Sequence, residues 1–243
     1  MNNQNNKYSG NFYEEIGDFL GESYLNYGFT KGTLQEVDFL IEHMELRTGD
    51  SILDIGCGPG RHSLELARRG IIPTGIDITS SFIELAQKRA AEENLNATFM
   101  VADARHVPLS QQFDSAICLC EGAFGLAGDD EGHRQILREI HRLLRPQALF
   151  TLTAINVLNV ARTNESIDAY TSTSSTKETI TNSKGDTKEV DIYTTAFTFR
   201  ELKLLLEGSG FEVLDGYGCI AGNFSTKRLS VNDIEIMITA RRI

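Results

Sequence analysis

The residues best suited to chemistry are one glycine-rich segment and a set of acids spaced behind it. Leu53-Asp54-Ile55-Gly56-Cys57-Gly58-Pro59-Gly60 closes a short apolar run and precedes a helical pattern. There, glycines let backbone amides approach a ligand with no Cβ in the way. The dinucleotide fingerprint GxGxxG, counted from Gly56 and Gly58, requires a glycine where Arg61 stands, and no glycine-lysine-serine/threonine run makes a P-loop. Asp77 follows Gly56 by about twenty residues, where a carboxylate meets the two hydroxyls of a ribose on an open α/β sheet. Asp103 closes the third apolar run, placed to accept a hydrogen bond from an exocyclic amine. Asp54, Asp77, Asp103 and Glu121 all fall at or near the carboxyl ends of strands, the rim where such sheets bind ligands. Each acid alone reads equally well as a helix cap or a solvated loop group. Four at one rim are poorly explained that way.

Metal and disulfide chemistry have little support. Cys57, Cys118, Cys120 and Cys219 form no CxxC pair, and His43, His62, His106, His133 and His141 lack the HxxxH spacing of a helical zinc site. No metal is expected. The first ten residues are rich in Asn and Gln without an apolar block, so a secretory signal is not expected and a reduced, cytoplasmic location is. With 23 Lys+Arg against 34 Asp+Glu, the 243-residue chain carries a net charge of −11. That balance disfavours an extended phosphate-tracking surface, which rests on basic side chains. No apolar run approaches the roughly 18 residues of a membrane span.

The elements that must position these residues alternate. Short apolar runs at 51–55, 71–78, 97–102, 113–120 and 149–155 read as strands, separated by helical patterns at 61–69, from Ser81, and from Asp129 or Asp130 through Arg145. Near-continuous apolar strands separated by helices imply a parallel sheet covered on both faces. Three capping boxes announce helix starts: Thr33-x-x-Glu36, Ser81-x-x-Glu84 and Thr198-x-x-Glu201. In the first helix Leu34, Val37, Ile41 and Met44 make the apolar face. Ile136, Leu137, Ile140, Leu143 and Leu144 form the buried stripe of the helix before Pro146. After the fifth strand, two alternating segments around Ser183-Lys184-Gly185-Asp186 read as a hairpin, preceded by the Ser/Thr-rich stretch 171–177. Segments 211–215 and 234–240 close the sheet as an antiparallel pair. The expected fold is one α/β domain over 1–243, with a doubly wound, mostly parallel seven-stranded Rossmann-like sheet. An N-terminal helical cap (1–48) precedes it, and a β-hairpin insertion or lid (156–196) follows strand five.

Taken together, the glycine segment, Gly75-Ile76-Asp77-Ile78, Ala102-Asp103-Ala104, Phe113-Asp114 and Leu143-Leu144-Arg145-Pro146 resemble class I S-adenosylmethionine-dependent methyltransferases in order and spacing over roughly residues 35–155. Pro146-Gln147-Ala148 departs from the family's frequent Pro-Gly-Gly, at a turn away from the cofactor. The resemblance implies in-line methyl transfer from S-adenosyl-L-methionine, with S-adenosyl-L-homocysteine as product. It places Asp54, Gly56, Cys57, Gly58 and Gly60 beside the methionine part of the cofactor and Asp77 on the ribose. Asp103 meets the adenine amine, Ile78 and Ala104 flank the ring, and Glu121 contacts cofactor or substrate. The acidic rim suits a cationic sulfonium and a neutral adenosine.

For the acceptor, His133 and Glu121 are the candidate catalytic groups. His133 falls in the first turn of a helix, whose dipole favours the neutral base; a solvent-facing helix histidine is the plainer reading. Tyr13, Tyr24, Tyr27, Phe29 and Asn156 are the candidate substrate contacts, the aromatics offering faces to a cation or an apolar substrate. Stretch 171–177 reads as a flexible loop or as a mobile lid. Small-molecule methylation, with no nucleic-acid or membrane partner, is the expected function. The alternatives are an S-adenosylmethionine-binding protein acting through partners without turnover, an RNA or protein methyltransferase, and a nicotinamide oxidoreductase.

Overall fold

A computed structural model describes residues 11–120, 122–163 and 167–243. Its seven-stranded sheet contains β1 (Ser51–Ile55), β2 (Ile72–Asp77), β3 (Thr98–Val101), β4 (Phe113–Cys118) and β5 (Leu144–Ile155). Two more strands, β8 (Phe211–Cys219) and β9 (Glu235–Arg242), complete it in the order β3-β2-β1-β4-β5-β9-β8. β1 to β5 run parallel, and β9 runs antiparallel to both β5 and β8. The chain leaves β1 first toward β2 and β3, then returns to place β4 on its other side. That reversal opens a crevice at the carboxyl ends of β1 and β4, where ligands of open α/β sheets bind.

Among the described residues the sheet is accompanied by helices α1 (Phe12–Leu20), α2 (Thr33–His43), α3 (Arg61–Arg68), α4 (Ser80–Glu92), α5 (Asp130–Leu143), α6 (Val157–Thr163) and α7 (Phe199–Glu207), with 3₁₀ turns at Gly21–Asn26 and Gly28–Gly32. The central strand β1 buries both of its faces, with Ile52, Leu53, Asp54 and Ile55 all shielded, as a strand between two helical layers must. Against the sheet, α5 presents the stripe read from the sequence, Ile136, Leu137, Ile140 and Leu143, onto Phe150, Leu152 and Ile238. Its start is capped by Asp129, whose carboxylate accepts from Gly132 N–H at 2.7 Å. Among the described residues no helix is long and apolar enough to cross a membrane.

Only one of the three capping boxes forms. At α7 the Thr198 hydroxyl accepts from Glu201 N–H and the Glu201 carboxylate accepts from Thr198 N–H. At α2 the cap residue is Gly32 and no side chain caps the end, because Glu36 turns inward to buried partners. At α4 the cap position is Thr79, and Asp77 and Asp18 accept from the first amides instead. Leu34 is exposed rather than packed; Val37, Leu40 and Met44 make the buried face of α2. β5 begins at Leu144, before Pro146, because Leu144 pairs with Phe113 and carries the sheet edge with it.

The segment after β5 is a two-stranded antiparallel sheet of β6 (Thr173–Thr181) and β7 (Thr187–Thr195). Most of the Ser/Thr-rich stretch is therefore ladder, not loop. The turn is held by Asn182, whose side-chain carbonyl accepts from Lys184 and Asp186 N–H groups, with Gly185 at positive φ. Ile180 of β6 is buried against Ile16 and Leu20 of α1, with Tyr24, Tyr27 and Ile192 beside them. The N-terminal helix and the hairpin thus form one roof over the carboxyl edge of the sheet.

Candidate functional site

Beneath that roof lies a cavity of about 510 Å³, within the range of small-molecule sites. Its floor is the strand ends and the glycine turn: Gly56, Gly58, Ile76, Asp77, Ile78, Asp103 and Ala104. Its roof is Ile16, Leu20, Tyr24, Tyr27 and Phe29 from the N-terminal segment, with Tyr13, and Thr176, Glu178, Ile180, Ile192 and Thr194 from the hairpin. The aromatics form one cluster: Tyr27 and Phe29 stack at 5.6 Å between centroids, and Tyr24 packs against Phe29 at 5.4 Å and Phe82 at 4.8 Å.

The glycine turn is shaped by contacts that no side chain would permit. Gly56 has φ +69°, and a Cβ there would stand 2.0 Å from the carbonyl oxygen of Gly122. A Cβ on Gly58 would meet only the Tyr24 ring, at 3.8 Å, so this position is kept clear on the cavity side. Gly58 N–H donates to one oxygen of Asp77 at 2.8 Å and Thr79 N–H to the other at 2.8 Å. Asp77 is thereby fixed at the end of β2. Burial pushes its carboxyl up from the ordinary range, and these two amides oppose the shift.

Asp103 faces a guanidinium fork. Arg105 donates to it through Nε at 2.9 Å and Nη2 at 2.6 Å, and also bonds Asn11 at the foot of α1. Burial would raise the Asp103 carboxyl, but the Arg105 hydrogen bonds and charge outweigh it and hold the group low.

Other expected residues lie behind the cavity wall. Asp54 is buried under the turn, where the Ser63 hydroxyl donates to it at 2.7 Å and ties β1 to α3. Burial pushes its carboxyl up to about 6, against the pull of that hydroxyl. Cys57 N–H donates to Ile76 at 2.9 Å and its side chain packs inward against Gly75. Gly60, at φ +76°, lets the turn pack on Ala86 and Phe99. These three shape the turn without lining the cavity.

His133 and Asn156 are not brought to the cavity. The His133 ring is sealed between Phe124 and Phe197, and neither ring nitrogen has a hydrogen-bond partner among the described residues. Burial drives its pKa down to about 4. It is neither a solvent-facing histidine nor within reach of the cavity, because α5 turns its first turn toward the core. Asn156 spends its amide on the carbonyls of Asp233 and Ser230, fastening the end of β5 to the loop before β9. Glu121 lies outside the described residues.

A buried charge cluster beside the turn escaped the sequence reading. Arg61, first residue of α3, donates to Glu36 and Thr33 and reaches Cys120 Sγ at 3.1 Å. His62 bonds the same Glu36 oxygen at 2.8 Å, while the other accepts from Gly222 N–H at 2.5 Å. Burial works against a charged Glu36, but the His62 hydrogen bond and Arg61 hold it down at about 2. Burial and the Arg61 charge lower His62 to about 4, so it is neutral near pH 7. A signal was present: an arginine in a helix's first turn opposes the helix dipole and needs an acid close by. Cys120, at φ +52°, sits at the cavity edge and donates its N–H to the Thr153 hydroxyl at 2.7 Å.

The fold and site define an α/β protein whose cavity, at the carboxyl ends of the strands, is lined by carboxylates and, among the described residues, holds no phosphate-binding turn. Comparison with known proteins gives this class its family. Residues 52–147 match the methyltransferase domain family. The methyltransferase GfsG of Streptomyces halstedii is 25% identical over 194 residues, covering 66% of this chain and 68% of that protein. A ubiquinone biosynthesis O-methyltransferase of Coxiella burnetii is 35% identical over 80 residues, 32% of this chain and 34% of the relative. Among solved structures, the CcbJ methyltransferase of Streptomyces caelestis superposes with a TM-score of 0.80 over 97% of this chain and 99% of its own, at 16% identity. A methyltransferase of Methanosarcina mazei gives 0.64 at 28% identity, over 84% and 97% of the two chains. Residues 52–147 are thus a methyltransferase domain, the chain as a whole is similar to S-adenosylmethionine-dependent methyltransferases, and S-adenosylmethionine is its methyl donor.

The residues present fit that donor. Carboxylates at the ends of β2 and β3 suit neutral hydroxyls, an amine and a sulfonium. Among the described residues the cation at the turn is Arg61, which is committed to Glu36 instead of being offered to a phosphate.

Proposed function

We propose that this enzyme methylates a small molecule enclosed between the carboxyl edge of the sheet and the roof made by α1, the 3₁₀ turns and the β6–β7 hairpin. The observation that carries this reading is the enclosure itself: two chain segments far apart in sequence meet at Ile16, Leu20 and Ile180 and close an apolar, aromatic-lined space over the strand ends. A polymer substrate needs an open groove, and RNA needs a basic track that a chain of net charge −11 does not favour. The names of two relatives, a methyltransferase and a ubiquinone biosynthesis O-methyltransferase, are compatible with a small acceptor.

S-adenosylmethionine supplies a methyl group on a cationic sulfur, which demands an aligned nucleophile and dry surroundings. In this reading the remaining lone pairs of Asp77 accept the ribose hydroxyls, Gly56 and Gly58 leave room beside the methionine part, and Asp103 takes the adenine amine. Ile78 and Ala104 pack on the adenine ring. Tyr13, Tyr24, Tyr27 and Phe29 cover the acceptor and keep water out.

The test is partition of label. The protein is incubated with methyl-labelled S-adenosylmethionine and a cell extract, which is then fractionated into small molecules, RNA and protein. Label is expected in the small-molecule fraction. Label confined to RNA or protein would overturn the proposal.

A further inference from the structure

We propose that the methyl acceptor is an amine, received by Glu235 on the part of the cavity over β5 and β9; this inference rests on the small-molecule methylation reading above. Glu235 is the first residue of β9 and pairs with Ile155, the last residue of β5. The antiparallel direction of β9 brings it to the same edge as the glycine turn, on the far side of β4 from Asp77 and Asp103. It lines the cavity, is 5% exposed, and its Oε2 has no hydrogen-bond partner among the described residues. Its other oxygen accepts a long bond, 3.3 Å, from Ala221 N–H, and the Thr153 hydroxyl also donates to the carboxyl. A buried, under-partnered carboxyl is costly in an empty site and is relieved by a cation that brings N–H donors.

The rest of the wall points the same way. The charged residues lining the cavity, among those described, are Asp77, Asp103, Glu178, Glu235 and Arg105, and the Arg105 fork is committed to Asp103. A carboxylate or phosphate acceptor would meet no unengaged cation there. An ammonium would meet Glu235 on one side and Glu178 on the hairpin, with the faces of Tyr24, Tyr27 and Phe29 nearby. An alkylammonium must shed a proton before it can attack. That proton passes to Glu235 Oε2, the freed nitrogen lone pair forms the new N–C bond, and the electron pair of the breaking C–S bond stays with sulfur. The methylated product leaves as a secondary ammonium, and Glu235 returns its proton to solvent.

Calorimetry on the full chain tests this with named probes. The protein is saturated with S-adenosylhomocysteine and titrated with benzylamine, benzyl alcohol or benzoate. Benzylamine is expected to bind about tenfold or more tightly than the alcohol, the scale of a hydrogen bond to a charged group, and benzoate not to bind. Glu235→Gln should erase that preference while S-adenosylhomocysteine affinity stays within about twofold. Glu178→Gln, on an exposed strand position, should weaken benzylamine by a smaller factor and keeps the test intact if the buried variant does not fold. Equal binding of amine and alcohol, no binding of benzylamine, or an unchanged preference in a folded Glu235→Gln would each overturn the inference. Failure of S-adenosylhomocysteine itself to bind would instead overturn the methyl-transfer reading on which the inference rests.

Discussion

Asp77 holds two backbone amides, from Gly58 and Thr79, one on each oxygen. Each oxygen keeps a second lone pair, so the same carboxylate can fix the turn and still accept from a ligand. Asp77→Ala should weaken S-adenosylhomocysteine binding by about 1.5–3 kcal/mol, the scale of hydrogen bonds to a charged group; calorimetry of the two proteins measures it. His133 makes a different point. Its pKa is near 4 when folded against 6.5 for the ordinary side chain, because burial disfavours its charge. A histidine depressed in the folded state costs nothing above the unfolded pKa and destabilises progressively as pH falls from about 6.5 toward 4. His133→Leu removes two unsatisfied ring nitrogens and this linkage together. Denaturant titrations should therefore show the variant gaining on the wild type as pH falls through that window. A gap independent of pH would contradict the burial account.

At the scale of elements, three sequence segments carry the same capping-box pattern and only Thr198–Glu201 forms one. The difference is competition. Glu36 finds Arg61, His62 and Gly222 N–H inside the molecule, while Glu201 stands on an exposed helix end where the reciprocal cap is its best partner. Thr198→Ala should cost about 1 kcal/mol of stability, whereas Ser81→Ala, where no cap forms, should cost a few tenths at most; paired thermal or denaturant melts compare them. Strand and helix order was legible in the sequence because apolar runs and their punctuation are local signals. The roles of Asp54, Cys57 and Asn156 were not, since a side chain one residue from the cavity and one lining it look the same in a one-dimensional pattern. The same holds for Glu235, whose place at the rim depends on β9 running antiparallel to β5. His133 was misread for a related reason. Its position in the first turn of α5 was legible, but the two phenylalanines that seal it come from segments before and far after it, Phe124 and Phe197.

For the whole molecule, the sheet supplies the rim and the appended segments supply the enclosure. The rim acids Asp77 and Asp103 are anchored on strand ends, while the two halves of the roof meet through the apolar cluster around Ile16, Leu20 and Ile180, the Phe12–Tyr193 ring pair and the Lys188–Glu15 ion pair. Arg105 joins rim to roof, since it bonds both Asp103 and Asn11. A ligand that engages the rim should therefore order the roof as well. Hydrogen exchange with and without S-adenosylhomocysteine reads both at once. Slowed exchange is expected at 56–60, 77–79 and 103–105, and also across 12–29 and 173–195. Protection of the rim alone, with exchange in the roof unchanged, would contradict a cavity that closes over donor and acceptor together.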